Sequence, residues 1–259
     1  MRSDIGPLLM YKTERTNAGN RPAGFRAVRN GAYAFTALLF SLAAPAFCQQ
    51  ATPPDDSEAT PKHIFLIIPN FRTSPMLAEY KPITPKEKFH IAALDSFDRG
   101  TVALAALFAG EAQLNNSDRS FGQGVLGYSH YFVTSYADFV IGNFMTEGVF
   151  PTILHQDPRY FRKGTGSGLK RLGYAAGQIF WTHNDSGHGQ FNFSEVVGNS
   201  TAVAISMAYY PEDRDVGDAV SQLGTQLGVD MAANILKEFW PDLSRKFSHK
   251  HKSASADGN

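Results

Sequence analysis

The chain has 259 residues, 43% of them hydrophobic and 19% charged, with a formal net charge of zero. That composition suits one globular domain with a sizeable core. Charge balance argues against nucleic acid as a partner, because such proteins carry a basic field.

The first 48 residues read as a secretory signal. Arg26 and Arg29 precede the apolar run AYAFTALLFSLAA, which small residues follow. Cationic, apolar and small-residue regions in that order mark an export signal. Ala46 and Cys48 suit the −3 and −1 positions, so cleavage is expected before Gln49, with cleavage after Ala46 as the competitor and an uncleaved signal anchor as the other reading. Met10 is an alternative start. Removing 1–48 takes away six basic and two acidic residues, which leaves 18 basic and 22 acidic and a net charge of −4. It also removes the only cysteine, so the exported domain is held together by packing rather than disulfides.

Residues 49–62 read as a disordered, proline-bearing linker. HIFLIIPNFRT then forms an extended N-terminal arm on the core, since no matching strand follows to pair with it. From Pro85 the pattern turns helical and runs to about Asn115, either continuous or broken near Gly100, with Phe89, Ala93, Phe97, Leu104, Leu107 and Phe108 on one inward face. A second helix, Ser129 to Leu154, is apolar nearly all round and is expected at the centre, kinked at Pro151. A third covers Leu169 to His183, with Leu172, Ala176 and Phe180 inward. A fourth begins at Asn192, whose spacing to Glu195 resembles a capping box, and stops at Pro211. Asp215 caps a fifth, Val216 to Trp240, which Pro241 ends; residues 244–259 read as a disordered polar tail.

The fold class expected is therefore all-α: a single domain over residues 63–243, built as a bundle of about five helices behind an extended arm. Gly173 with Gly177, and Gly224 with Gly228 and Ala232, make small-xxx-small rows that predict tight helix packing. No stretch after the signal is apolar for 18 residues, so a membrane span is not expected.

Carboxylates on apolar helix faces are the first chemical signal. Glu111 lies among Leu104, Leu107 and Phe97, and Glu147 lies beside Val140 with Asn143 adjacent and Asp138 on another side. A buried carboxylate takes a partner or a raised pKa. Either the acids do acid–base or metal work, or they are ion-paired, with Arg72, Arg99, Arg159 and Arg162 as the available cations. Di-metal bundles use Glu-x-x-His, and none of Glu111, Glu147, Glu195 and Glu238 has a histidine three residues on.

THNDSGHG carries His183, Asp185 and His188, a candidate metal set set against a plain polar loop between helices. No HExxH motif is present. RKGTGSGLK misses the P-loop pattern, because Leu169 stands where its second glycine belongs; Ser167 misses the nucleophile elbow, because Thr165 precedes it by two. Anion binding at the next helix's N-terminus stays physically allowed. ILHQDPRYFR reads as a corner, with Asp157 and Pro158 opening a helical turn. His155, Asp157, Arg159 and Arg162 are then candidates for a polar latch, in which one arginine meets Glu147 or Asp138. No catalytic residue is assigned.

The segments IIPNFRT, FGQG, GNFMTEGVFPTILHQDPRYFR, FNFSE, GNS and LKEFWPD together resemble a family of exported bacterial proteins, prominent among Acidobacteria. The resemblance spans about Ile64 to Asp242. It implies export and a single domain and carries no activity. The reading that follows is a periplasmic or envelope-associated protein with a structural, scaffolding or apolar-ligand-binding role. The alternatives are a metal-assisted hydrolase and an interfacial or multi-span membrane protein. The cofactor is left open; an apolar ligand, an envelope partner or a membrane surface are the partners expected.

Overall fold

The computed structural model describes residues 80–210 and 215–256, together with the strand segments 63–64, 68–69 and 73–74, and side chains through residue 245. The expected signal, the linker and the rest of the arm lie outside the described residues. The chain is mostly helical, as expected of an all-α fold.

Helix α1, Pro85–Ser96, starts where its sequence says it should. Thr84 Oγ1 accepts from Glu87 N at 3.3 Å, Glu87 Oε2 accepts from Thr84 N at 2.7 Å, and Pro85 takes the first position. The break falls at Phe97: Asp98 caps α2, Arg99–Asn115, by accepting from Gly100 N at 2.6 Å. Asn116 ends α2 in the left-handed conformation, φ 50°. A 3-10 turn, Arg119–Phe121, leads into α3, whose loop is pinned by Tyr131 OH donating to Asp118 O at 2.6 Å.

Helix α3 begins at Gly124, earlier than expected. Its regular part, Gly124–Asn143, passes into a π-helical stretch, Phe144–Val149, and closes with Phe150–Ile153. The predicted irregularity at Pro151 takes this form. A proline has no N–H and its ring meets the carbonyl four residues back, and the widened turn sits directly before it. α3 runs back along α2: Gln113 Nε2 meets Gly124 O at 2.9 Å and Tyr128 OH meets Ala106 O at 3.0 Å.

Small strands follow, which the sequence reading missed. β4, Gln156–Asp157, and β5, Tyr160–Phe161, replace the helical turn expected at PRYFR. β5 pairs in parallel with β3, Thr73–Ser74. β1, His63–Ile64, pairs antiparallel with β2, Ile68–Pro69. After α4, Gly168–Gly177, the chain forms β6, Trp181–Asn184, and β7, Gly189–Phe191, so α4 stops short of His183. Order in this sheet is β4-β6-β7, antiparallel throughout. THNDSGHG is therefore a β-hairpin rather than a link between helices. Asn184 Oδ1 accepts from Ser186 N and His188 N at 2.9 Å each, and Gly187 turns at φ +82°.

α5, Phe193–Ser206, is capped by Asn192 accepting from Glu195 N at 3.2 Å. α6, Val216–Ala256, starts where Asp215 Oδ1 accepts from Asp218 N at 2.9 Å. It continues through Pro241 and along the segment expected to be a disordered tail. The core gathers Tyr160, Ala175, Ile235, Leu236, Phe239 and Leu243 between α4, α6 and β5.

Two expectations about packing are corrected. α1 buries Lys88, Ala92, Asp95 and Ser96, while Phe97 is 65% exposed; α2 buries Gly100, Thr101, Ala105 and Ala109, while Leu107 is 56% exposed. Small side chains let these helices approach closely, and the large ones sit at the flanks. The tight glycine contacts also lie elsewhere. A Cβ on Gly173, Gly177 or Gly224 would meet nothing within 4 Å, because those positions do not face a neighbouring element, whereas one on Gly198 would lie 2.9 Å from Thr146 Cγ2 and 3.1 Å from the Met145 backbone. No helix among the described residues is long and apolar enough to cross a membrane.

Candidate functional site: an internal anion cradle and an acidic cavity

The glycine-rich turn after β5 does bind an anion, and the anion belongs to the protein. Glu238, completely buried on α6, accepts from Gly164 N at 2.9 Å and Arg171 Nε at 2.8 Å on one oxygen. Its other oxygen accepts from Tyr160 OH at 2.8 Å and Lys163 N at 3.0 Å. Gly164 adopts φ +67°, which turns successive amides toward one point. Arg171 reaches further, to Asp242 at 2.6 Å and to Glu238 O at 2.7 Å, and lies over the Phe239 ring at 4.6 Å. Arg162 is on this side as well: burial lowers its pKa and its electrostatic neighbours are Glu238, Asp242, Arg171 and Arg245. The cradle is full, so an external phosphate has no place in it.

A second polar group sits on the sheet. Asp157, buried on β4, accepts from Arg159 Nε at 3.0 Å, Arg159 Nη2 at 2.6 Å, Arg159 N at 2.9 Å and Tyr80 OH at 2.9 Å. Arg159 also donates to Lys81 O at 2.7 Å and stacks near Tyr80 and Phe161. Burial and the Asp157 carboxylate raise the Tyr80 pKa. Of the latch expected between Arg159 or Arg162 and Glu147 or Asp138, the Arg159–Asp138 contact is absent, because Arg159 is committed to Asp157 and Asp138 accepts from Tyr209 and Tyr210.

The candidate metal set does not assemble. Asp185 is ion-paired with Lys88 at 2.6 Å, His188 is exposed on the hairpin, and His183 packs edge-on against Phe161 at 5.2 Å. Burial lowers the His183 pKa, against the Asp157 charge that raises it. Among the described residues no group of three or more potential ligands could hold a metal ion. Lys88 is the partner the sequence reading overlooked. It is 1% exposed and also donates to Pro151 O at 3.1 Å. His155 turns at φ +54°, exposes its side chain and accepts from Asp185 N at 3.0 Å through its carbonyl. These contacts are structural.

Two of the remaining candidates, Asp138 and Asn143, line a cavity of about 190 Å³ between α2, α3, α5 and α6. Phe108, Phe139 and Val229 form apolar wall, and Asp138, Asn143, Thr146, Asn199, Gln222, Gln226 and Asp230 supply polar groups. Asp138 accepts from Tyr210 OH at 2.8 Å and from Tyr209 OH. Burial pushes its pKa up to about 6, although both phenol hydrogen bonds pull the other way. Asn199 donates to Glu195 and Asp230 at 3.2 Å each, and Gln226 Oε1 is buried without a hydrogen-bond partner. Glu147 is buried on the π-helical stretch, outside this wall. Glu111 is half-buried on α2; Asn115 donates to it at 2.5 Å, and burial raises its pKa.

Sequence reasoning picked out Asp138 and Asn143 as polar residues on an apolar helix. It missed Asp230 and Gln226, which sit on α6 with the helical period of Gln222 and Val229 and look like an ordinary solvated face. The chain matches no protein-family model, no curated protein and no solved structure.

Proposed function

We propose that the protein is an exported, non-catalytic binding protein that holds a small, largely apolar ligand in the cavity between α2, α3, α5 and α6. The observation that carries this reading is the cavity itself: about 190 Å³ walled by Phe108 and Phe139, with a few polar groups converging on it. Apolar walls with a small number of placed polar groups are the ordinary make-up of a ligand site. A dry engineered cavity of about 150 Å³ already accepts benzene. The pairs Arg171–Glu238, Arg159–Asp157 and Lys88–Asp185 are committed to one another, which favours binding over chemistry at those groups. Gly142 lines the cavity and a Cβ there meets nothing within 4 Å, so Gly142→Leu grows a side chain from an uncrowded position in the cavity wall. Native mass spectrometry and calorimetry with benzene-sized probes test the reading: the parent protein binds and Gly142→Leu, still folded, does not. Equal binding by both sinks it.

One observation favours a second reading, attachment to a membrane surface. Leu107, Leu114, Val125, Leu126 and Val133 are 56%, 89%, 88%, 72% and 64% exposed along α2 and α3. Exposed apolar surface of that kind marks an interaction site. Flotation of the full-length protein with zwitterionic vesicles, lost in Leu126→Glu with Val133→Glu, is the expected result; no flotation by the parent removes this reading.

A further inference from the structure

We propose that the cavity selects a cationic ligand, a protonated amine on a compact apolar body, with the ammonium beside Asp138 and the body against Phe108 and Phe139. This rests on the ligand-binding reading above and names its chemistry.

The charged groups in the cavity wall are Asp138 and Asp230, and no lysine, arginine or histidine lines it among the described residues. Three of the donors in the wall are spent, while Ser135, Asn143, Gln222 and Gln226 bring further hydroxyl and amide donors to it. Thr146 donates to Gly142 O at 3.0 Å, Thr225 to Ser221 O at 3.0 Å, and Asn199 to two carboxylates. The negative charge, by contrast, has no cation among the described wall residues to answer it. A carboxylate offers about four lone-pair sites, and Asp138 receives two phenol hydroxyls, so about two stay open. Asp230 receives Asn199, and Gln226 Oε1 receives nothing. An ammonium carries three donors and no acceptor, which complements that set. An anionic ligand would face two carboxylates with no cation to offset them.

Tyr209 and Tyr210 fix the geometry. Burial and the Asp138 charge raise both phenol pKa values, so they remain neutral donors that aim the carboxylate. Protons compete with the ligand for Asp138, since its carboxyl titrates at about 6. The groups that face it are those two phenols and, across the cavity, Asp230. Phe108 and Phe139 meet edge-on, with centroids 5.6 Å apart, and give a ring-bearing amine an aromatic wall.

The test is calorimetry on the full-length protein at neutral pH with benzylamine, benzyl alcohol and benzoate. Benzylamine is expected to bind roughly tenfold more tightly than benzyl alcohol, with benzoate weakest. Asp138→Asn is expected to abolish that preference. Because Asp138 also anchors two tyrosines, Asp230→Asn serves as a second variant, and thermal melts establish that both are folded. Benzyl alcohol binding as well as benzylamine overturns the cationic assignment and leaves the cavity reading standing. Failure of all three ring compounds to bind overturns both. An amine preference unchanged in both folded variants overturns the placement at these carboxylates.

Discussion

Arg171 and Glu238 lie 67 residues apart in sequence and meet at 2.8 Å, both buried. Neither could be buried alone, since an unpaired charge in the interior costs several kcal/mol. The pair is completed by the amides of Lys163 and Gly164, the Tyr160 hydroxyl and Asp242. It ties the strand corner and α4 to α6.

Removing one partner should therefore be severe. Glu238→Ala leaves two amides and the Tyr160 hydroxyl without their acceptor and Arg171 without its buried partner, with only Asp242 left to offset its charge, and about 3 kcal/mol of stability should be lost. Asp242→Ala leaves Arg171 its main partner and should cost about 1.5 kcal/mol. Urea denaturation of both variants gives the comparison. Equal losses would mean that the buried pair does not organise this region.

Lys88 and Asp185 should respond asymmetrically. Lys88 is 1% exposed and the Asp185 side chain 30% exposed. Lys88→Met keeps the apolar stem and leaves a carboxylate that water can reach. Asp185→Ala leaves an ammonium with only Pro151 O for company. The second change should cost about 3 kcal/mol and the first markedly less. Thermal melts that reverse this order would contradict the burial assigned to Lys88.

Two glycine-to-alanine changes should differ in sign. At Gly198 the added methyl presses on Thr146 and the Met145 backbone, so Gly198→Ala should lose about 1–3 kcal/mol despite its better helix propensity. At Gly142 the methyl enters open space, so Gly142→Ala should gain up to about 1 kcal/mol. Chemical denaturation checks both signs.

Asp138 gives a pH signature. Its folded pKa of about 6 lies above the unfolded value, so the folded state holds the proton more tightly. That contribution is complete below the unfolded pKa near 4 and is lost as pH rises through 6. It amounts to about 2–3 kcal/mol for a shift of roughly two units. His183 acts oppositely, because burial lowers its pKa and its contribution is lost as pH falls. Glu111 acts in the same sense as Asp138. The difference between parent and Asp138→Asn isolates one group: over pH 4 to 6.5 the parent should lose stability relative to the variant. A flat difference would place Asp138 in contact with solvent.

Helix starts were legible because they are local. Pro85 opens α1 as read, and Asn192 before Glu195 and Asp215 before Asp218 each cap within three residues, a spacing that the sequence writes directly. The strands were not, since β4 and β5 are two residues long and carry no alternation to detect. Helix faces were misread for a physical reason: the largest apolar residues were assumed to point inward, whereas α1 and α2 bury Ala92, Ala105 and Ala109 and keep Phe97 and Leu107 at the edge. Asp138 stood out because a carboxylate on an apolar helix needs an explanation. Glu238 did not, although it is the more deeply buried acid, because its donors come from 67 to 78 residues away.

The amides of Lys163 and Gly164 are synthesised 75 and 74 residues before the carboxylate that fills them. Until α6 arrives, that turn is an open seat. A chain cut short before Glu238 loses the acceptor for those amides and Arg171 together with Phe239 and Leu243 of the core. The corner is closed by the far end of its own chain, whose C-terminal helix carries the key.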